Sequence, residues 1–117
     1  MRELIATFRY LHSKNIFHRD IKPENILIAD NFKPLLIDFG LAIESHHLSH
    51  SFVGTYRYAA PEVIKHQSYT CQSEVYSLGI LLLFMVTGRH PYSIARISEV
   101  GYRLLFEKKS GPFWDYF

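Results

Sequence analysis

Asp20, Asn25 and Asp38 are the first residues in this chain whose types and spacing point to chemistry. They fall in short polar blocks: His18-Arg19-Asp20-Ile21-Lys22-Pro23-Glu24-Asn25, then Asp38-Phe39-Gly40, with Ala60-Pro61-Glu62 following downstream. Taken singly, each block has a plain reading. A His-Arg-Asp triplet is usually solvated surface, and an Asp-Phe-Gly triplet is usually a turn. The order and spacing say more. Ile26-Leu27-Ile28 and Leu35-Leu36-Ile37 are short apolar runs around the turn signal Asp30-Asn31, which predicts a small hairpin. In an antiparallel pair the first strand starts where the second finishes, so the hairpin delivers Asn25 and Asp38 to neighbouring places. A carboxylate and a carboxamide oxygen held together there suit a hard cation.

The elements that must position these residues are legible around them. Leu4, Ile5, Phe8 and Leu11 fall on one face of a helix running from the N-terminus to about Ser13, ended by Lys14-Asn15. Residues 16–25 lack a helical period and read as a loop, as do residues 41–59, rich in Ser, His and Tyr. Pro61–Lys65 reads as a short helix with proline in its first turn. Residues 72–87 form the most apolar helix, with Ser73 as its expected cap and Gly88 as its stop. The run Leu78–Val86 is too short to cross a bilayer, which takes about 20 residues, so a helix buried on all sides is expected. A further helix is expected over roughly 95–109, ended by Ser110-Gly111-Pro112. The apolar tail Phe113–Phe117 is expected to pack on something outside the chain.

At 117 residues the chain is one domain at most, with 48% hydrophobic and 21% charged residues. A compact chain of this size buries roughly 65% of its unfolded surface, enough for one modest core. A net charge of +2 gives no sign of a nucleic-acid or membrane partner. The single cysteine, Cys71, cannot form an internal disulfide; with no signal-peptide pattern at Met1-Arg2-Glu3, the expectation is an intracellular, cytoplasmic protein. His46, His47 and His50 invite a zinc reading, but with no cysteine near and only Glu44 as a carboxylate, a solvated loop is the better one.

Taken together, the blocks resemble the catalytic loop, the metal-binding loop and the end of the activation segment of a eukaryotic protein kinase. The resemblance runs from Met1 to about Tyr92, with a weaker tail to Phe117. It makes residues 16–25 the catalytic loop, 38–40 the metal-binding loop, 38–62 the activation segment and about 72–87 the buried helix. It implies transfer of the γ-phosphoryl of ATP, with Mg²⁺, to a protein serine or threonine. Asp20 matches the aspartate that orients the substrate hydroxyl and accepts its proton. Asn25 and Asp38 match the two magnesium ligands, and Leu27 the floor of the adenine site. Lys22 lies where serine/threonine kinases hold a lysine against the transferring phosphate. Thr55 matches a hydroxyl that bridges the aspartate and the lysine. His18 and Phe39 resemble stacked, buried residues linking two lobes. Arg19 matches an arginine that pairs with an activation-segment phosphate, and Ser51, four residues before Thr55, is the expected acceptor, with Ser45 and Ser49 as competitors. Phe52, Tyr56 and Ala59 resemble the pocket for the substrate residue after the phosphoacceptor, and Glu24 a contact for a basic substrate.

Some features depart from the family pattern. No glycine-rich loop and no ATP-binding lysine precede these blocks, so the expected architecture is mainly α with a small β-hairpin: a carboxy-terminal lobe, calmodulin-dependent-kinase-like, with the amino-terminal lobe absent. Glu74 replaces the usual aspartate whose carboxylate accepts backbone hydrogens from the catalytic loop, and its extra methylene predicts overpacking costing on the order of 1–3 kcal/mol. Ile43 stands where a basic residue often helps hold the activation-segment phosphate. Glu62, without its usual arginine, is expected to be exposed or badly held. Two rival readings remain beside the kinase: a truncated kinase-like module that binds a partner through its exposed inter-lobe face, and a piece of a longer protein completed by a missing lobe.

Overall fold

A computed structural model describes residues 1–44, 52–108 and 110–116. Ser45, Ser49, Ser51, His46, His47 and His50 lie outside the described residues, so the phosphoacceptor and zinc readings do too.

The chain opens with α1 (Arg2–Ser13), which buries Leu4, Phe8 and Leu11 and leaves Ile5 on the surface. Strand β1 (Ile16–Phe17) follows, and a 3-10 turn over Pro23–Asn25 leads into β2 (Ile26–Ile28) and β3 (Pro34–Leu36). β2 and β3 pair antiparallel as Ile26 with Leu36, Leu27 with Leu35 and Ile28 with Pro34, the expected hairpin shifted by one residue on its second strand. β4 (Ile43–Glu44) returns to pair with β1. Residues 16–25 and 41–59 are therefore not loop throughout, and a second two-stranded sheet joins the hairpin. Two-residue strands carry too little periodicity to be read from sequence.

α2 (Pro61–Ile64) starts with proline at its first turn. α3 (Cys71–Thr87) is the longest element. Its cap is Thr70 and not Ser73: the two form a capping box, and the Thr70 N–H donates to Ser73 Oγ at 3.2 Å. Gly88, at φ 70°, ends it in the left-handed conformation that glycine tolerates best. α3 is not buried on all sides. It buries Ser73, Glu74, Ser77, Leu78, Ile80 and Leu81, while Val75, Leu82, Met85 and Val86 are exposed. Hydrophobicity alone could not show that the polar residues of this helix would take the interior.

The expected helix over 95–109 is shorter, α4 (Val100–Phe106), and the tail forms a further helix, α5 (Ser110–Tyr116). α5 packs back on α4, with Phe113 buried. The tail thus has a partner inside the chain, although Trp114 and Tyr116 stay half exposed. Gly101 allows α4 to press on the preceding segment, where a Cβ would lie 1.8 Å from the Pro91 carbonyl oxygen. One core joins Leu4, Phe8, Ile21, Tyr58, Ala60, Val63, Leu81 and Tyr92, so the catalytic-loop, activation-segment and helical regions share a single interior.

Candidate active site

Asp20 is buried, and three side chains converge on it. Lys22 Nζ lies 2.7 Å from Oδ2, Thr55 Oγ1 donates to Oδ1 at 2.8 Å, and Asn25 Nδ2 donates to Oδ2 at 3.0 Å. Asn25 Nδ2 also donates to the Asp20 carbonyl oxygen at 2.8 Å, which closes the loop on itself. The carboxylate, and not the Thr55 hydroxyl, is what joins Thr55 to Lys22. Burial pushes the Asp20 carboxyl up. Hydrogen bonds from Lys22 and Thr55, the Lys22 charge and the Asn25 amide outweigh it, holding the group below its usual range. The Lys22 ammonium is raised by its bond to Asp20, against a smaller burial effect. The pair is therefore charged at neutral pH, with the anion fixed in place by its three partners.

Thr55 reaches Asp20 because Gly54 precedes it. Gly54 has φ 99°, and a Cβ there would sit 2.3 Å from the Arg19 carbonyl oxygen. Only a glycine lets the segment cross the catalytic loop this closely. The sequence signal was the Gly-Thr dipeptide, but the closeness of the crossing is a tertiary fact.

Asp38 is brought near by the hairpin: the Ile37 N–H donates to the Asn25 carbonyl oxygen at 2.9 Å. Asp38 is exposed, has φ 60°, and accepts the Gly40 N–H at 3.1 Å. Since the Asn25 amide nitrogen is turned onto Asp20, its carboxamide oxygen is the atom left for a cation. Among the described residues no group of three or more His, Cys, Asp or Glu could hold a metal. A hard ion at Asp38 and Asn25 would complete its shell with phosphate oxygens and water, the usual habit of Mg²⁺, so the donor set fits that ion.

A second buried carboxylate stands behind the loop. Glu74 is fully enclosed; Oε1 accepts the Arg19 N–H at 2.8 Å and the Tyr69 hydroxyl at 3.3 Å, and Oε2 lies 2.7 Å from His12 Nε2. The longer side chain is seated between three partners, its second oxygen carried out to His12 on α1. Arg19 sits at φ 66°, a left-handed conformation that costs a non-glycine residue energy, and the Glu74 bond to its N–H helps hold it there. The Arg19 side chain turns to the metal-binding loop, Nε donating to the Leu41 carbonyl oxygen at 2.7 Å. Ile43 is engaged in the β1–β4 pair.

The other expected site residues divide. His18 is buried, donates from Nε2 to the Ile37 carbonyl oxygen (2.9 Å), and meets Phe39 edge-on at 4.9 Å. Phe39 itself is 46% exposed and so is not a buried spine residue here. Phe52 and Tyr56 stack at 4.2 Å, whereas Ala59 is in the core. Leu27 and Glu24 are both exposed. Glu62 is not exposed or badly held. It is half-buried and accepts the Ser73 hydroxyl at 2.7 Å.

The protein kinase domain family model matches residues 1–110, which is nearly the whole chain. This chain belongs to the protein kinase domain family. Among its relatives are mouse sperm motility kinase 3A, 37% identical over 95% of this chain and 23% of the relative, and rice CBL-interacting protein kinase 29, 35% identical over 97% and 26%. Serine/threonine-protein kinase AtPK1/AtPK6 of Arabidopsis thaliana is 41% identical over 77% of this chain and 20% of the relative. The chain thus spans a quarter or so of the length of the curated relatives it matches. The names place the family among the protein serine/threonine kinases. Among the described residues, no helix of this kinase chain is long and apolar enough to cross a membrane.

Proposed function

We propose that residues 1–117 form the carboxy-terminal lobe of a serine/threonine protein kinase domain, calmodulin-dependent-kinase-like, and supply its phosphoryl-transfer residues. The observation that carries this reading is the convergence of Lys22, Thr55 and Asn25 on Asp20. Phosphoryl transfer needs little covalent help from a protein: it needs a positioned hydroxyl and compensation of phosphate charge. Asp20, kept ionised, orients the substrate hydroxyl and takes its proton. Lys22 sets a positive charge beside the position of the transferring phosphate. Thr55 fixes the rotamer of Asp20 and ties the activation segment to the loop. Asp38 and Asn25 would hold magnesium, which when bound offsets phosphate charge, and Leu27 would lie under the adenine of ATP. Phe52 and Tyr56 offer an aromatic surface for the substrate chain. Arg19 would receive a phosphate on Ser51.

Serine or threonine preference follows from the closeness of Lys22 and Thr55 to Asp20. A tyrosine hydroxyl stands further from its backbone, and misplacing the attacking oxygen by about 1 Å can cost on the order of 100-fold in rate. The test is a peptide array carrying serine, threonine or tyrosine acceptors, presented with ATP and Mg²⁺ to this chain joined to an amino-terminal kinase lobe. Phosphoserine and phosphothreonine are expected, lost in Asp20→Ala. Phosphotyrosine as the main product, or transfer that survives Asp20→Ala, would overturn the reading.

A further inference from the structure

A cavity of about 530 Å³ opens between the end of the activation segment and the connection from α3 to α4. Its walls include Arg57, Arg89, His90, Tyr92, Glu99 and Tyr116. We infer that this cavity takes an acidic side chain of the protein substrate, a carboxylate or a phosphate. The inference rests on the chain acting on a protein.

Position is the first argument. Tyr58 stands three residues after Thr55, its N–H donating to the Thr55 carbonyl oxygen at 3.1 Å, and Thr55 holds Asp20. Ser77 of α3 fixes this segment by donating to the Tyr58 carbonyl oxygen at 2.8 Å. The Tyr58 hydroxyl lies 3.4 Å from His90 Nε2, and the two rings meet edge-on at 5.1 Å. A short, rigid chain of contacts therefore links the cavity wall to the catalytic carboxylate, within reach of an extended peptide.

Charge is the second. Arg57 and Arg89 are exposed at the cavity, against one half-buried carboxylate, Glu99. Arg89 has contacts of its own within the chain, so Arg57 carries the argument. The last turns of α3 add no acid to this wall. Phe84 lies there, stacked on His90 at 4.4 Å. Burial first, and then the Arg57 charge, push the His90 imidazole down, so it is neutral at pH 7 and the positive charge at this wall comes from arginine. Glu24, the residue expected to attract a basic substrate, acts electrostatically on the same two side chains as Arg57, Tyr58 and His90, with opposite sign. Glu24 outweighs Arg57 at Tyr58, whereas Arg57 outweighs Glu24 at His90, on the cavity wall itself. An arginine fork facing an open cavity matches carboxylate and phosphate geometry.

The test uses the 117-residue chain without nucleotide, and fluorescence anisotropy with peptides built around one serine. Each carries glutamate, phosphoserine, alanine or lysine at one of the positions flanking that serine. The glutamate peptide is expected to bind about 5-fold tighter than its alanine counterpart, the phosphoserine peptide tighter still, and the lysine peptide weakest. Arg57→Glu should reverse the order of glutamate and lysine, and Arg89→Glu should weaken it; both positions are exposed, and an unchanged thermal melt verifies folding. Preference for phosphoserine alone identifies a dianion as the ligand, and equal preference for glutamate identifies any acidic residue. No peptide binding, lysine binding as tightly as glutamate, or an Arg57→Glu variant with unaltered preference would overturn the proposal. Because binding is read without transfer, loss of the charge preference sinks the pocket alone. A chain that keeps the preference but transfers no phosphate once joined to an amino-terminal lobe sinks only the catalytic reading.

Discussion

Asp20 and Glu74 are both buried carboxylates with three partners each, yet their surroundings differ in kind. Asp20 meets a formal cation, Lys22, together with Thr55 and Asn25, and Asn25 lies beside the exposed loop at Asp38. Glu74 is sealed at 0% exposure among a backbone N–H, a tyrosine hydroxyl and an imidazole. The first arrangement holds a charge beside an exposed loop. The second anchors the backbone that carries it, through the Arg19 N–H. One chemical group thus stands open to a ligand or is locked into the architecture according to whether its partners leave a way in.

The largest effect should separate the two functionally. With an amino-terminal lobe supplied, Asp20→Ala should lower phosphoryl transfer by about 100- to 10,000-fold, the usual range for a lost proton acceptor, while the thermal midpoint falls less than in Glu74→Ala. Steady-state transfer alongside calorimetry checks this. A midpoint that falls as far as in Glu74→Ala would erase the distinction. Glu74→Ala should instead cost stability, on the order of 2–4 kcal/mol, because the Arg19 N–H and the Tyr69 hydroxyl lose their buried acceptor. Urea unfolding reads it directly. Glu74→Asp should fall between, since a carboxylate one methylene shorter cannot keep all three partners.

Gly54→Ala sharpens the comparison from the activation-segment side. The left-handed φ and the 2.3 Å approach to the Arg19 carbonyl oxygen predict a loss of about 1–3 kcal/mol and a displaced Thr55. The decisive measurement is whether transfer falls more than it does in Thr55→Ala; an equal or smaller fall would mean that the crossing only positions Thr55.

The smallest effect is in pH. Asp20 is held below its ordinary value of 3.8, so its contribution to stability is complete above that value and is lost as pH falls through the lower folded value. Lys22 is raised above 10.5, so its contribution is complete below that value and is lost as pH rises through the higher folded value. Denaturant midpoints across pH should show Asp20→Asn flattening the acid limb of the profile. An acid limb as steep in the variant as in the parent would place the linkage elsewhere.

Much of this was legible in the residues. The apolar positions of α1, the hairpin around Asp30-Asn31, Pro61 opening α2 and Gly88 closing α3 are local signals, and local sterics decide them. The neighbourhood of Asn25 and Asp38 followed from antiparallel pairing alone, and the Ile37–Asn25 hydrogen bond agrees with it. That a second helix, α5, begins at Ser110, where the sequence reads as a helix stop, and that Phe113 turns inward, were not legible. The tail's composition fits a packed helix as well as an unpartnered one, and only α4 decides between them.

By itself the sequence determined which groups can do chemistry here and which short elements carry them, because residue type, periodicity and turn chemistry act over a few positions. Tertiary structure decided the rest. It turned the polar side of α3 inward, joined Glu74 to His12 across 62 positions, and laid Gly54 over Arg19 so that Thr55 meets Asp20. Those choices depend on which buried polar groups can find partners, and partners far apart in the chain are known only once the chain has folded.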